Sequence, residues 1–310
     1  MMVHQDIEHL PAFKNAVVTI GTFDGVHLGH QQIISQLKEE AARIGGETVI
    51  ITFHPHPRKI VHTEKKKIEL INTIDERIEL LTGMQIDRLV IVPFTQDFSE
   101  LAPRDYVEKF LIERFKPAIV IIGYDHRFGK DRQGDYKLLE EYNAKHLFEL
   151  QEIPGHLIND STVSSTLIRE FLKDGNVEKA NELLGYAFFF EGVVAHGDKR
   201  GRTIGFPTAN IELNNDEKIV PGNGVYAVNV KVRNREYKGM MNIGVRPTVD
   251  GTRRTIEVNI FDFDEDIYGE AIRVSLKKFI RPEQKFSGLD ALVAQLHKDK
   301  IAATRALHNE

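Results

Sequence analysis

Two histidines three residues apart, His27 and His30, follow a glycine-punctuated turn that closes an apolar run. From Thr19 the chain reads Thr-Ile-Gly-Thr-Phe-Asp-Gly-Val-His-Leu-Gly-His, so Gly21, Phe23, Asp24, Gly25 and Gly29 all fall within or beside the turn. Ile33, Ile34, Leu37, Ala41 and Ile44 then recur at helical spacing and give the following stretch one core face. A strand, a tight turn and a helix start form an anion site. The first N–H groups of a helix lack partners, and its dipole favours negative charge. Two imidazoles at the same place can hydrogen-bond phosphate oxygens as charge develops on them. The segment therefore points to nucleotide chemistry, although the chain has neither a Walker-type Gly-x-x-x-x-Gly-Lys nor a Gly-x-Gly-x-x-Gly.

Four further groups of residues can do chemistry. Ser164, Ser165, Thr166 and Arg169 open a second helical pattern. They either cap that helix or grip a β- or γ-phosphate, with the arginine as a bidentate clamp. Gly123, Asp125, Arg127 and Phe128 follow a predicted strand, where ligands bind in open α/β sheets; the other reading is an ordinary glycine-rich loop. Gly197 to Asn210 holds three glycines and three cations within fourteen residues. Gly201, Arg202 and Gly205 there suit a phosphate, because glycine admits close backbone approach and a cation offsets charge; a solvated basic hairpin has the same composition. Thr208 and Asn210 offer oxygen ligands of the kind Mg²⁺ takes. Glu257 alternates with Ile256, Val258 and Ile260 and is either a general base or an exposed strand carboxylate. Asp262, Asp264 and Asp266 imitate a calcium loop, but Ile267 and Arg273 stand where that loop needs Gly and Glu.

The elements that must position these groups change character along the chain. From residue 16 to about 185, apolar runs (Val17–Ile20, Thr48–Phe53, Arg88–Val92, Ala118–Ile122, Phe148–Gln151) alternate with helical patterns (Gln31–Ile44, Asp75–Thr82, Arg104–Phe115, Tyr136–Lys145). That alternation predicts βαβ units and a parallel sheet covered on both faces. Two more helices start near Ser164 and Val177, with Gly185 placed to cap the second. After about residue 187, Val225 to Val232 and Ile256 to Ile260 alternate apolar with polar between Gly, Asn, Pro and Asp turns. This predicts an antiparallel barrel or sandwich, followed by a helix from Gly288 onward. The boundary falls near residues 184–188, giving domains 1–185 and 186–310.

Composition sets outer limits. At 310 residues, with 41% hydrophobic and 28% charged content, the chain suits two soluble domains. A net charge of −5 argues against nucleic acid as the main partner. No cysteine is present, so disulfides, thiolate nucleophiles and Cys-ligated zinc are excluded. No apolar stretch is long enough for a signal peptide or a membrane span, and the expected location is cytoplasmic.

Together these motifs resemble the bacterial bifunctional riboflavin kinase/FMN adenylyltransferase (FAD synthetase) family. Thr-Phe-Asp-Gly-Val-His-Leu-Gly-His and Ser-Ser-Thr-Leu-Ile-Arg are similar to the paired signatures of its nucleotidyltransferase module. Gly-Arg-Thr-Ile-Gly-Phe-Pro-Thr-Ala-Asn, then Asn-Ile-Gly-Val-Arg-Pro-Thr and Glu257, are similar to its kinase module. The resemblance implies an N-terminal doubly wound Rossmann-like domain and a C-terminal antiparallel β-barrel with a terminal helix. It implies that riboflavin is phosphorylated by MgATP in the second half, with Glu257 as base, Thr208 and Asn210 holding Mg²⁺, and the glycines from Gly201 to Gly205 cradling the nucleotide. It implies that FMN then attacks the α-phosphate of a second ATP in the first half. There His27, His30, Ser164, Ser165, Thr166 and Arg169 would steady the triphosphate, and Gly123, Asp125, Arg127 and Phe128 would line the flavin or nucleotide pocket. A loop near Arg281-Pro282-Glu283 would close over the flavin of the kinase. The implied partners are riboflavin, FMN and ATP, with no nucleic acid and no membrane, in a monomer or weak homo-oligomer. His54 and His126 depart from the family pattern and carry no role.

Overall fold

The computed structural model describes residues 1–61, 68–123, 126–153, 163–197, 200–248 and 251–308. It divides into two compact units, Met1–Ser165 and Thr166–Glu310.

The first unit is built on β1 (Met2–His4), β2 (Val17–Ile20), β3 (Thr48–His54), β4 (Arg88–Pro93), β5 (Ile119–Ile122) and β6 (Glu149–Glu152). They lie in the order β1-β4-β3-β2-β5-β6, all parallel. The central strands are Val/Ile runs because both of their faces are covered. Alternate residues divide between two cores. Val18, Ile20, Ile51, Val92 and Ile122 pack on one side with Tyr106, Phe110 and Tyr142, while Val17, Ile50, Ile91 and Ile121 pack on the other with Ile34, Leu37 and Leu81. Each such fully buried side chain contributes about 1.5–3 kcal/mol.

The helices that supply these covers are α1 (Leu28–Ile44), the short α2 (Pro57–Val61), α3 (Ile74–Gly83), the short α4 (Gln96–Ser99), α5 (103–115) and α6 (Tyr136–Asn143). The middle turn of α5, Tyr106–Ile112, is π-type. From β2 the chain moves to β3 on one side, while β5 pairs with β2 on the other. The carboxyl ends of β2 and β5 therefore flank the point where strand order reverses, the place where open α/β sheets bind ligands.

The second unit holds α7 (Ser165–Lys173, which begins at the division), α8 (Val177–Leu184), β7 (Phe189–Ala195), α9 (Arg200–Thr203), β8 (Ala209–Leu213), β9 (Gly224–Val232), β10 (Arg235–Thr248), β11 (Gly251–Ile260), β12 (Ala271–Arg281) and α10 (Leu289–His308). The six strands close into a barrel in the order β10-β11-β8-β7-β12-β9. α10 lies across β9, β10 and β12, with Ala303 and Leu307 packed on Ala227, Met240 and Phe261.

Packing divides the chain ahead of the compositional change near residue 185. α7 and α8 have the helical pattern of the first half, yet α8 packs on β12. Asn181 ties the two together, donating to the Leu276 carbonyl (2.9 Å) and accepting from the Phe188 N–H (2.7 Å). Gly185 ends α8 in the left-handed conformation (φ +76°), as its place in the sequence predicts.

Candidate active sites

In the first unit the turn after β2 is held from several directions. The Gly21 N–H donates to the Ile51 carbonyl (3.0 Å), and Thr52 Oγ1 donates to the Thr22 carbonyl (3.1 Å). Phe23 (φ +49°) and Val26 (φ +37°) both take the left-handed conformation, a strain that non-glycine residues accept only where the surroundings impose it. Asp24 is fully buried, and its carboxylate accepts from the N–H groups of Ile71 (3.3 Å) and Asn72 (3.0 Å). These two bonds brace the turn. Ser165 Oγ donates to the Asp24 carbonyl (2.8 Å), so the start of α7 is tied to the same turn.

The turn delivers His27 as the N-cap of α1, where its Nδ1 accepts from the His30 N–H (3.4 Å). The two imidazoles stack with centroids 3.7 Å apart, and the Phe23 ring stands 4.8 Å from His30. A side chain at Gly29 would press on the His27 ring, and one at Gly21 on Phe23. The first turn of α1 has no acidic residue to oppose an anion. Burial, with His27 and Arg77 nearby, holds the His30 pKa well below the ordinary histidine value. His30 is thus a neutral hydrogen-bonding imidazole at neutral pH.

Gly123 follows β5 and so lies at the same switch point, accepting from the His126 N–H (3.0 Å). Phe128 is buried, stacked 4.7 Å from Tyr106, and its backbone pairs with Gly134. Arg127 is exposed, and among the described residues its guanidinium reaches the neighbouring His126 carbonyl (3.2 Å). Asp125 lies outside the described residues. Ser164 and Thr166 are exposed and Arg169 is half-buried; Thr166 and Arg169 belong to the second unit.

In the second unit α9 opens a turn in which the Phe206 N–H donates to the Gly201 carbonyl (2.9 Å) and Gly205 is left-handed (φ +79°). A side chain at Gly201 would overlap the Phe206 carbonyl, which is why the turn needs glycine there. The chain then runs through Thr208 into β8. Asn210 pairs directly with Glu257 on β11, and Glu257 faces Asn242 on β10. Thr208 Oγ1 donates to Glu257 Oε2 at 3.5 Å. Gly197 packs so closely on the Asn210 amide that no larger residue fits. Thr208, Asn210 and Glu257 thus present hard oxygen donors side by side, a set that suits Mg²⁺.

Beside Thr208 opens a cleft of ≈ 330 Å³, lined by Arg202, Val258, Ile260, Ile267 and Tyr268 among others. Arg202 and Thr208 give the cleft a cation and a hydroxyl, Val194, Val258, Ile260 and Ile267 an apolar surface, and Asp264, Glu265 and Asp266 a run of carboxylates. The segment from Phe263 to Tyr268, which the sequence offers only as a failed calcium loop, is the far wall. Arg233 braces that wall through Glu265 (2.8 Å) and Glu270 (2.6 Å).

Arg281 commits its guanidinium to Asp299 of α10, with bonds of 2.9, 3.1 and 2.7 Å, and also donates to the Pro282 carbonyl (2.9 Å). Gln295 completes the cluster, donating to Asp299 at 2.8 Å. Glu283 seats its carboxylate over Gly244, next to Asn242. Asp299 carries no local sequence signal, since it acquires its partners only through helix docking.

A parallel α/β unit with a histidine-capped switch point, followed by a closed barrel carrying its own glycine turn, defines a chain with two phosphate-handling modules. The family model described as FAD synthetase matches residues 10–167, and that described as riboflavin kinase matches residues 184–307. Curated relatives named bifunctional riboflavin kinase/FMN adenylyltransferase include those of Listeria monocytogenes (40% identical, 92% of this chain and 90% of that one) and Bacillus subtilis (40%, 95% and 93%). The Escherichia coli relative of the same name is 36% identical over 94% of this chain and 92% of its own length. A solved structure from Streptococcus pneumoniae, titled a macrolide-efflux protein, shares the fold with a TM-score of 0.88 at 32% identity, over 98% of both chains. The chain belongs to the bifunctional riboflavin kinase/FMN adenylyltransferase family. Among the described residues no helix is long and apolar enough to cross a membrane.

Proposed function

We propose that the two reactions of this family run on the residues assembled above, one in each unit. The chain phosphorylates riboflavin with ATP to give FMN and ADP, then transfers AMP from a second ATP to FMN, giving FAD and pyrophosphate. The observation that carries the assignment is that each unit has its own phosphate-type turn beside a titratable group: the His27–His30 stack after β2, and Thr208 with Glu257 across β8 and β11.

In the barrel, Glu257 takes the proton of the riboflavin 5′-hydroxyl as that oxygen attacks the γ-phosphate. Gly201 and Gly205 let the backbone approach the nucleotide, and Arg202 offsets its charge. The apolar length of the cleft takes the base. Thr208 and Asn210 are the residues that would hold Mg²⁺, which when bound offsets phosphate charge. Arg281 serves the flavin side by anchoring the loop that begins at Pro282.

In the α/β unit the FMN phosphate is already an anion and needs no strong base, so catalysis is positioning and charge stabilisation. His27, His30 and the N–H groups opening α1 meet the triphosphate, with Ser164 and Ser165 as further ligands. Gly21, Phe23, Asp24, Gly25 and Gly29 shape the approach, and Gly123, Asp125, Arg127 and Phe128 face the flavin. We assign adenylylation to residues 1–185 and phosphorylation to 186–310, in a cytoplasmic enzyme that is a monomer or weak homo-oligomer.

The test is a time course of purified protein with riboflavin, ATP and Mg²⁺, with riboflavin, FMN and FAD separated by chromatography. FMN should appear first and then convert to FAD. FMN that never converts would overturn the reading of the first unit, and an inert protein would overturn both.

A further inference from the structure

Arg77 is 2% exposed, yet among the described residues no carboxylate clamps it. It lies one turn into α3, just after a capping box in which Thr73 Oγ1 accepts from the Glu76 N–H (3.2 Å) and Glu76 accepts from the Thr73 N–H (2.9 Å). Among the described residues its guanidinium makes one hydrogen bond, from Nη1 to Thr52 Oγ1 (3.2 Å), and its Nε is buried without an acceptor. Thr52 passes that contact on, since the same hydroxyl donates to the Thr22 carbonyl of the β2 turn (3.1 Å). Asp24 is the carboxylate within electrostatic reach, and its oxygens already accept from Ile71 and Asn72. A cation taken out of water with so few partners is costly to the fold. Such groups persist where a function uses them.

The surroundings show what that use is. His30 lies within electrostatic reach of Arg77, and its Nδ1 is also buried without a partner. The titratable groups facing His30 are His27 on its own helix and Arg77 from α3, with Asp24 in the turn beyond. The strands behind α1 bring no charge: β2 and β5 contain no ionisable residue, and β3 has only His54 at its exposed end. A site for a triphosphate needs positive potential, and a neutral imidazole at His30 does not supply it.

We propose that Arg77 is a positioning residue of adenylyl transfer, fixing the Thr22 carbonyl through Thr52 and supplying, within electrostatic reach of His30, the permanent positive charge that an incoming triphosphate meets. The inference rests on the role given above to His30. Arginine stays protonated at every working pH, so its field does not titrate away as a histidinium would. Burial and the same field keep His30 neutral, with one ring N–H to donate to a phosphate oxygen.

The experiment uses full-length protein carrying Arg77→Met or Arg77→Lys. Adenylylation of supplied FMN is followed from about pH 5 to 9, and the His30 ring is titrated by NMR over the same range. In Arg77→Met the His30 titration should rise toward the ordinary histidine value. The acid limb of the adenylylation profile should move up with it, and the rate at neutral pH should fall about tenfold or more. Riboflavin phosphorylation should be unchanged. In Arg77→Lys the charge remains, so the His30 titration should stay low, while the rate falls several-fold because the planar fork at Thr52 is gone.

An unchanged His30 titration in Arg77→Met would overturn the electrostatic half, and a fully active Arg77→Lys the positioning half. Should Arg77→Met not fold, Arg77→Lys alone decides: a His30 titration that rises although the charge is kept would overturn the coupling. A His30 titration that moves while the rate profile does not would uphold the coupling and overturn the catalytic role of His30 instead.

Discussion

Glu257 and His30 act in separate units, so each reaction should be removable without the other. Glu257→Gln keeps the shape of the side chain and the contact with Thr208 but cannot take the hydroxyl proton. FMN formation should fall by about a hundredfold or more, while adenylylation of supplied FMN stays intact. His30→Ala should do the reverse, lowering FAD formation by about a hundredfold and sparing FMN formation. Both are read by chromatography; loss of FAD formation from supplied FMN in Glu257→Gln, or of FMN formation in His30→Ala, would contradict two independent sites. The histidine pair is legible in the sequence because everything that defines it is local: a Val/Ile run, a glycine turn, then a helical period. Arg77 is not. It sits in Ile74-Asp75-Glu76-Arg77-Ile78-Glu79, which reads as a solvated helix face, and only the packing of α3 shows that its side chain points inward.

At the scale of elements, the end of β12 and the middle of α10 are joined by Arg281 and Asp299. Asp299 is 2% exposed and accepts from both Arg281 and Gln295. Removing one partner of a buried pair leaves the other charge uncompensated, so Asp299→Ala should cost about 3–5 kcal/mol. Chemical denaturation of the kinase unit measures this directly; a loss under about 1 kcal/mol would place the pair with exposed surface bridges. The family resemblance places Arg281 beside a loop over the flavin, while its ion pair with Asp299, eighteen residues away on a helix, is something no local pattern reveals. The strands and helices of the first unit follow their predicted ranges closely, since period and composition are local properties. β1 escapes because its three residues, Met2–His4, are stabilised by pairing with β4 rather than by any pattern of their own. The π turn in α5 escapes for a similar reason, being a matter of packing. Alternation in the second half leaves barrel and sandwich open; closure is decided by β9 pairing with both β10 and β12, a long-range register.

For the molecule as a whole, the question is how much chain the kinase needs in order to fold. Composition places the start of the barrel near residue 186, whereas packing assigns everything from Thr166 onward to the second unit. Ile168, Leu172, Val177, Ala180 and Leu184 of α7 and α8 are all fully buried. Glu178 accepts from the Phe279 N–H (3.2 Å), the Leu172 carbonyl from the Gly222 N–H (2.8 Å), and Asn181 bridges Leu276 and Phe188. A fragment beginning at 186 loses all of these contacts. It bares apolar surface and leaves backbone groups of the barrel without partners, for a cost of roughly 5 kcal/mol or more. Small domains have only about 5–15 kcal/mol in hand. The 166–310 fragment should therefore melt cooperatively and convert riboflavin to FMN, while 186–310 should melt at least about 15 °C lower or fail to fold. Equal melting temperatures and equal FMN formation in the two fragments would mean that α7 and α8 serve only as a connection. The compositional boundary would then be the physical one.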